Sequence, residues 1–253
     1  MVKIALSGCC GRMGRAVARL SAASADTKIV VGSDLNTIPY ADFPIYPSLK
    51  EFPAHADVVV DFSNPAAFEA LLSYCLETKT PLVLCTTGLS KEQLAKVDEA
   101  TKTIAVFRSA NMSIGISLLA DLARRAAAVY GEYADVEIIE QHHNQKLDAP
   151  SGTALMLYDA LAESLPYETE AVYDRHERRE KRPAHEIGIS SIRGGTIVGE
   201  HEILFCGTDE VITLKHSALS REAFAVGALR AAKFLAGKEP GLYNMQDLLA
   251  EIQ

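Results

Sequence analysis

Residues 137–154, EIIEQHHNQKLDAPSGTA, carry the densest set of reactive side chains in the sequence. His142 is suited to donate a proton to a reacting substrate, because an imidazole titrates near neutral pH. Lys146 follows four residues later and can pair with a carboxylate or share the proton transfer. Hydroxyls and backbone N–H groups for a substrate carboxylate are offered by Ser151, Gly152 and Thr153. The segment predicts proton transfer to an anionic substrate.

Two acids in this segment have roles that the residue pattern leaves open. Glu140 and Asp148 could orient the imidazole or the lysine, or could be solvated acids. The histidine pair His142 and His143 could instead ligate a metal. Adjacent side chains diverge, however, and no third ligand stands at a suitable spacing, so we expect no metal site.

A strand and a helix must position these residues. Val136, Ile138 and Ile139 predict a short strand that ends at the histidines. Ser151 is typical of a helix start, and we expect the helix body over residues 154–164. The reactive side chains therefore fall in the connection between a strand and a helix.

A second candidate site follows the first predicted strand, at residues 2–7. The turn there reads Gly8, Cys9, Cys10, Gly11, Arg12, Met13, Gly14, and a helical pattern follows it. Glycines let the backbone approach a diphosphate, which the helix N-terminus then stabilises. The match to G-x-G-x-x-G is imperfect, since its second and third glycines would fall at Cys10 and Met13. We predict a dinucleotide site; the alternative is a glycine turn that serves only packing.

The next predicted strand, residues 28–32, leads to Asp34. A carboxylate at this point binds the ribose hydroxyls of an adenosine and repels a 2'-phosphate. Leu35 and Asn36 follow, and no Arg or Lys occurs until Lys50. The charge pattern therefore predicts NADH in preference to NADPH.

Strands and helices continue to alternate through the first half of the chain. Further strands are predicted at residues 57–62, 81–85 and 103–107, with helices at 64–78 and 90–102. Five strands in this rhythm indicate an α/β fold with a doubly wound, Rossmann-like parallel sheet. Ligands bind beyond the carboxyl ends of such strands, which adds these cofactor-binding candidates: Cys85, Thr86, Thr87, Ser109, Ala110, Asn111 and Met112. The alternative is that these two loops contribute turn chemistry only.

The pattern changes after Ser113, which predicts a second, α+β domain with a mixed or antiparallel sheet. A helix at 114–130 leads to the histidine strand, and three alternating segments at 187–193, 196–205 and 210–216 indicate antiparallel strands. The charged run at 174–182 is typical of a solvated loop. Helices at 221–236 and 245–252 are expected to return to the first domain. We assign residues 1–112 and 221–253 to the dinucleotide-binding domain, and 113–220 to substrate binding and oligomerisation.

Composition excludes several classes of protein. A net charge of -8 disfavours nucleic acid or an anionic membrane as the main partner. No signal peptide or membrane segment is indicated, so a cytoplasmic location is expected. Five cysteines without paired spacing suggest neither a disulfide framework nor a zinc site.

The sequence resembles the 4-hydroxy-tetrahydrodipicolinate reductase family of lysine and diaminopimelate biosynthesis. The resemblance rests on GRMG at 11–14, EQHHNQKLDAPSGT at 140–153, CTTG at 85–88, SAN at 109–111, VGEH at 198–201 and SR at 220–221. It implies nicotinamide-dependent reduction of a cyclic dicarboxylate made from pyruvate and aspartate semialdehyde, in a homotetramer. It also implies that His142 and Lys146 are catalytic and that His143, Gly152 and Thr153 bind substrate.

Three departures from the family pattern affect the cofactor side. Cys10 replaces a smaller residue, Cys85 replaces a frequent glycine, and Asn64 stands where some relatives carry a basic residue.

Two other functions are alternatives to this reduction. A semialdehyde dehydrogenase needs a cysteine nucleophile beside a base, and no cysteine lies near the histidines in sequence. A nucleotide-binding regulator would have no need of the histidine and lysine cluster.

Overall fold

The structure, a computed structural model, describes residues 1–252 of the 253-residue chain. The chain divides into two compact units. The first combines residues 1–114 with the chain from Glu222 onward, and the second spans Gly115–Arg221. Among the helices described, none combines the length and hydropathy that crossing a bilayer requires.

Twelve strands and seven α-helices are described within residues 1–252. The strands are β1 (Val2–Ser7), β2 (Thr27–Ser33), β3 (Ile45–Tyr46), β4 (Val58–Asp61), β5 (Leu82–Leu84), β6 (Ala105–Arg108), β7 (Asp135–His142), β8 (Glu170–Val172), β9 (Glu186–Arg193), β10 (Gly199–Cys206), β11 (Val211–Ala218) and β12 (Gly241–Tyr243). The helices are α1 (Arg12–Ala22), α2 (Phe68–Thr78), α3 (Lys91–Ala100), α4 (Ile114–Tyr130), α5 (Gly152–Ala162), α6 (Glu222–Leu235) and α7 (Met245–Ile252).

The first unit is built on a seven-stranded parallel sheet in the order β12-β6-β5-β4-β1-β2-β3. The predicted doubly wound sheet is confirmed, and its five predicted strands are present. The sequence pattern does not predict β3 and β12, because two or three residues are too few to show a hydrophobic period. Helix α2 also begins later than predicted, since Pro65–Ala67 forms a short 3-10 turn before it.

Both faces of this sheet are covered by apolar side chains. Ile4 and Leu6 of β1 lie in one buried cluster, which α6 and α1 complete. Ala5 lies in another cluster, with residues of α2 and α3. Successive strand side chains point to opposite faces, so a sheet buried on both sides has near-continuous apolar strands. This packing holds the carboxyl ends of the central strands, and the loops that follow them, in fixed positions.

The second unit contains a five-stranded mixed sheet in the order β11-β10-β7-β9-β8. β10 is antiparallel to both β11 and β7, whereas β9 is parallel to β7 and β8. β9, β10 and β11 therefore alternate in direction, as expected, but β9 does not pair with β10, because β7 lies between them. β9 runs parallel to β7 because the chain between them crosses over through α5, as a parallel connection requires.

One face of this sheet changes from an apolar core to a polar site along the length of β7. Val136 and Ile138 are buried in a cluster with residues of α4 and α5. Side chains in a strand alternate between faces, so Glu140 and His142 follow on that same face. Both are buried. The core of the second unit therefore leads directly into the histidine segment.

The charged stretch at residues 174–182 is a largely exposed loop, as predicted, but three of its four arginines, Arg175, Arg178 and Arg182, are partly buried and form ion pairs. Arg175 donates to both carboxylate oxygens of Glu137, at 2.7 and 3.1 Å, and to Glu186 at 2.7 Å. Arg178 donates to the other oxygen of Glu186 at 2.7 Å, and the Glu186 side chain is only 3% exposed. The solvated-loop prediction therefore holds for most of the stretch but misses these ion pairs, which depend on β7 and β9 lying side by side.

Candidate active site

Glu140 and His142 form a close pair at the carboxyl end of β7. Glu140 Oε2 lies 2.6 Å from His142 Nδ1. Glu140 is 0% exposed, and His142 is 9% exposed. Burial lowers the pKa of His142 and outweighs the opposite effect of Glu140, which raises it. The acid Glu140 thus contacts His142 at Nδ1.

Arg193, at the end of β9, binds the same carboxylate. Its Nη1 donates to Glu140 Oε2 at 2.8 Å and its Nη2 to Oε1 at 2.7 Å. The parallel register places Arg193 beside His142, and Ser191 beside Glu140. Burial alone would raise the pKa of Glu140, but hydrogen bonds from Arg193, Ser191 and His142 lower it to about 2. The carboxylate is therefore ionised at neutral pH.

Ser151 connects this pair to helix α5. Its backbone N–H donates to Glu140 Oε1 at 3.1 Å, and its hydroxyl accepts from Ala154 N at 3.1 Å as the N-cap of α5. The hydroxyl also lies 2.9 Å from His201 Nε2. Ser151 is 2% exposed, so its polar atoms face internal partners rather than the open side of the site.

Lys146 and Asp148 form a second pair in the connection between β7 and α5. Lys146 Nζ lies 2.8 Å from Asp148 Oδ1. The hydrogen bond from Lys146, with another from the backbone of Gly152, lowers the pKa of Asp148. Asp148 therefore contacts the lysine, and Glu140 contacts the imidazole, which resolves the assignment that the sequence leaves open.

The predicted substrate-binding residues lie at the more open side of this connection. Gly152 is exposed, and a Cβ atom there would meet no atom within 4 Å. Thr153 and His143 are half-buried. A helix N-terminus with free space in front of it is a favourable position for an anion. The geometry thus favours Gly152 and Thr153, more than the buried Ser151, as groups that meet a ligand.

His201, on β10, completes the buried cluster. The antiparallel register places it opposite Glu140, and its ring lies 5.2 Å from the His142 ring in an edge-on arrangement. Burial and the neighbouring His142 charge lower the pKa of His201 to about 4. Its Nδ1 has no hydrogen-bond partner in the described part of the chain. His201 is therefore neutral at physiological pH.

The glycine turn of the first unit has the geometry of an anion cradle. Gly8 has a φ of +72°, which favours glycine, and a Cβ at Gly14 would lie 2.2 Å from Gly8 O. Gly11 is the N-cap of α1 and has no side chain to bind the amides of the first turn, which also contains no acid. These amides can serve a phosphate, since helix N-termini attract negative charge.

Asp34 lies against this turn. It accepts a hydrogen bond from Cys10 N at 2.9 Å and another from Asn36 N at 3.2 Å. Arg15 donates to Cys10 O at 3.1 Å and its guanidinium lies 4.2 Å from the ring centre of Tyr40. A carboxylate has about four lone-pair positions, so Asp34 retains acceptor capacity for ribose hydroxyls.

The adjacent cysteines Cys9 and Cys10 lie beside Asp34, which is 24 residues from Cys10 in the sequence. Cys9, Cys10 and Asp34 have potential ligand atoms within 4.8 Å of one another. Burial raises the pKa of the Cys9 thiol to about 12, with a further contribution from Cys10. A neutral, buried thiol is a poor metal ligand, so the cluster fits a packed turn better than a metal site.

A cavity of about 350 Å³ brings together the two predicted cofactor loops. Its lining contains Met13, Phe62, Ser63, Cys85, Thr86, Thr87, Ser109, Ala110, Asn111, Met112 and Phe224. Asp61 supports one wall, since its buried carboxylate accepts from Thr86 Oγ1 at 2.7 Å and from Ser63 N at 3.1 Å. Loops that follow β4, β5 and β6 thus meet at one edge of the sheet.

Sequence reasoning missed three residues that organise these sites: Arg193, His201 and Asp61. Asp61 ends a run of three valines, and an acid at the end of a buried strand is a signal that could have been used. His201 stands in the VGEH motif, whose resemblance to the family gives the histidine no role by itself. Arg193 has no local signal, because only strand pairing brings it to Glu140.

The first unit has a parallel sheet whose first strand leads through a glycine turn into a helix, and the second unit has a buried histidine near an open helix N-terminus. Together these features define the class of dinucleotide-dependent oxidoreductases. Residues 2–112 match the family model "Dihydrodipicolinate reductase, N-terminus", and residues 115–249 match "Dihydrodipicolinate reductase, C-terminus". The chain therefore belongs to the dihydrodipicolinate reductase family, and the resemblance stated from the sequence is confirmed.

Individual relatives agree with this assignment. A 4-hydroxy-tetrahydrodipicolinate reductase of Caldanaerobacter subterraneus subsp. tengcongensis is 52% identical over 249 residues, 98% of each chain. One from Clostridium tetani is 48% identical over 253 residues, 98% of this chain and 97% of that protein. The solved structure of dipicolinate-bound dihydrodipicolinate reductase from Paenisporosarcina sp. TG-14 has a TM-score of 0.81 and 27% identity, covering 96% of this chain and 97% of that one.

The buried His201 makes the stability of the protein sensitive to acid. Its folded-state pKa of about 4 lies below the ordinary value of 6.5, so the unfolded chain binds the proton more readily. Stability is therefore lost as pH falls from 6.5 towards 4, by roughly 3 kcal/mol in total. Urea unfolding at several pH values should show a smaller loss for His201→Gln than for the wild type. Equal losses in both proteins would contradict this assignment.

Proposed function

We propose that the protein reduces 4-hydroxy-tetrahydrodipicolinate to tetrahydrodipicolinate with a nicotinamide cofactor, in lysine and diaminopimelate biosynthesis. Family membership and the names of the relatives support this reaction. The observation that carries it is the single cluster that combines His142, held by an ionised acid, with Lys146 and the open N-terminus of α5. That cluster suits a dicarboxylate that must gain a proton.

The substrate-side residues have separate roles in this proposal. His142 donates the proton that compensates the charge left by hydride addition, since imidazole is an effective acid near neutral pH. Lys146 is the second catalytic residue; it exchanges its contact with Asp148 for a substrate carboxylate or shares the proton transfer. Gly152 and Thr153 bind a carboxylate at the start of α5, and His143 also contacts substrate. The dipicolinate-bound relative supports a ligand with two carboxylates.

The cofactor-side residues fit a dinucleotide. The free amides at the start of α1 can hold the diphosphate, as the tight turn at Gly8 and Gly14 brings backbone close to it. The cavity lined by Cys85, Thr86 and Thr87 with residues 109–112 can hold the nicotinamide. When bound, the reduced nicotinamide supplies the hydride. We assign the first unit to the cofactor and the second to the substrate.

We further propose that NADH is preferred over NADPH. A carboxylate at the position of Asp34 repels a 2'-phosphate and accepts hydrogen bonds from ribose hydroxyls. The basic residue near it, Arg15, is engaged by Cys10 O and by the Tyr40 ring. We also propose a cytoplasmic location, because the proposed substrate and the nicotinamide cofactor are soluble metabolites.

A homotetramer is also proposed, with the second unit as its contact. The face of its sheet opposite α4 and α5 carries exposed apolar side chains, with Ile192 46% and Val211 56% exposed. Within residues 1–252, the edge strand β11 pairs with β10 alone. An open sheet face and an unpaired edge are typical surfaces for association between copies of a chain.

Replacing His142 tests the reaction directly. His142→Ala should lower kcat by about 100- to 10,000-fold while cofactor affinity changes little, because the variant loses the acid and not the cofactor site. The assay follows NADH oxidation with substrate generated by the synthase from pyruvate and aspartate semialdehyde. His176→Ala, an exposed histidine in the 174–182 loop, is the control and should retain full turnover. Near wild-type kcat for His142→Ala would refute the acid assignment.

Replacing Asp34 tests the cofactor preference. Wild-type protein should have a lower KM for NADH than for NADPH, and Asp34→Ala should raise the KM for NADH by about tenfold, as loss of charged hydrogen bonds predicts. Turnover at saturating NADH should change much less. Asp42→Ala, an exposed acid beyond β2, should leave both KM values unchanged. A lower wild-type KM for NADPH would contradict the charge argument.

The solution mass tests the oligomer. Light scattering should give four times the chain mass, and Val211→Asp should shift the protein to smaller species, because a charge cannot be buried unpaired at the contact. Asp209→Asn, in the turn before β11, serves as the control and should remain tetrameric. A monomeric wild-type protein would rule out the proposal.

A further inference from the structure

We propose that Glu140, anchored by Arg193, is a positioning residue that keeps a proton on His142 Nδ1 and leaves His142 Nε2 to exchange the proton with substrate. The inference rests on the proposed role of His142 as the acid. It assigns functions to two residues that do not themselves meet the substrate. Three features of the site support it.

The first feature is the direction of the hydrogen bond between Glu140 and His142. An ionised carboxylate can only accept hydrogen bonds. Glu140 Oε2 lies 2.6 Å from His142 Nδ1, so Nδ1 must carry the hydrogen in the neutral and in the charged imidazole. Nε2 is therefore the nitrogen that gains and loses a proton.

The second feature is that the carboxylate cannot turn away. Oε1 accepts from Arg193 Nη2 at 2.7 Å and from Ser151 N at 3.1 Å, while Oε2 accepts from Arg193 Nη1 at 2.8 Å. Arg193 Nη2 also donates to Asp148 O at 2.7 Å. A buried carboxylate requires such donors, because an unpaired charge in the interior is very costly. These bonds fix both oxygens and hence the imidazole.

The third feature is the set of groups around the imidazole of His142, including the residue next to its other nitrogen, Nε2. A Cβ atom at Gly199 would lie 3.1 Å from Nε2, so any larger residue would crowd this nitrogen. The charged or titratable groups that face His142 are Glu140 on β7, Arg193 on β9, Lys146 in the following loop and His201 on β10. His201 is neutral, and the other two groups are cationic, so Glu140 is the one described partner that favours the imidazolium.

Glu140→Gln should impose the wrong tautomer on His142. The amide oxygen should occupy the Oε1 position, whose partners Arg193 Nη2 and Ser151 N can only donate. The amide NH₂ should then face Nδ1, which can accept when the ring is neutral. Nε2 would carry the hydrogen in the neutral ring. A comparable exchange in a serine protease triad lowers kcat by about 10⁴-fold, and we expect a fall of at least about 100-fold here. The KM for NADH should be almost unchanged.

Opposite shifts of the pH profile distinguish positioning from a structural role. Glu140→Gln removes a negative charge, so the limb at which activity is lost with rising pH should move down by about one pH unit. Arg193→Gln removes a positive charge and should move this limb up while the Nδ1–H tautomer is retained. A merely structural role would lower stability in both variants without moving the limb in opposite directions.

Glu137→Gln is a matched control. Glu137 lies on the same strand and forms the same two-bond pair with an arginine, Arg175, on the opposite face of the sheet. This variant should lose stability but keep the wild-type tautomer, pH limb and kcat. If Glu140→Gln does not fold, Arg193→Gln with this control still decides the question.

The tautomer is measured by ¹⁵N NMR of histidine-labelled protein, with the His142 signal identified by its absence in His142→Ala. An Nδ1–H ring in the wild type and an Nε2–H ring in Glu140→Gln are expected. An unchanged tautomer and pH limb in Glu140→Gln would overturn the proposal. The NMR measurement does not depend on turnover, so it can contradict the positioning role of Glu140 while the proposed function stands. The proposed function itself would be refuted by full activity of His142→Ala.

Discussion

The buried ion pair between Glu140 and Arg193 is the constraint on which the site depends. It joins β7 to β9 where both strands end, and the same carboxylate binds His142 and the backbone of Ser151 at the start of α5. Removing one partner of such a pair costs about 3–5 kcal/mol, since the other charge is left unpaired in the interior. The chain between strand and helix is therefore tied at both ends to one side chain.

The core and the reactive groups of the second unit share one sheet face. Val136 and Ile138 pack against helices, and the next two inward residues of β7 are Glu140 and His142. Cross-strand register then sets His201 opposite Glu140 and Arg193 beside His142. Packing thus positions the polar cluster, and the hydrogen-bond donors around Glu140 keep it ionised despite its burial.

In the first unit, one carboxylate also serves two purposes. Asp34 accepts the N–H of Cys10 and so ties the end of β2 to the glycine turn after β1. Its remaining lone pairs suit ribose hydroxyls. The departure at Cys10 does not disturb this contact, because the bond uses the backbone and not the thiol. The thiol instead donates to Asn36 O at 3.1 Å.

The sequence by itself determined the parallel sheet, the existence of a second domain and the segment that carries His142 and Lys146, because strand periodicity and local motifs are short-range signals. It did not find β3 and β12, which are too short to have a period, or the order of β7 between β9 and β10. Only the tertiary structure decided that Arg193 and His201 complete the site and that the charged loop pairs with Glu137 and Glu186. The contacts of Arg193 and His201 join residues about fifty positions apart, and the contacts of the charged loop depend on the pairing of β7 with β9. Both follow from strand register, which local composition does not encode.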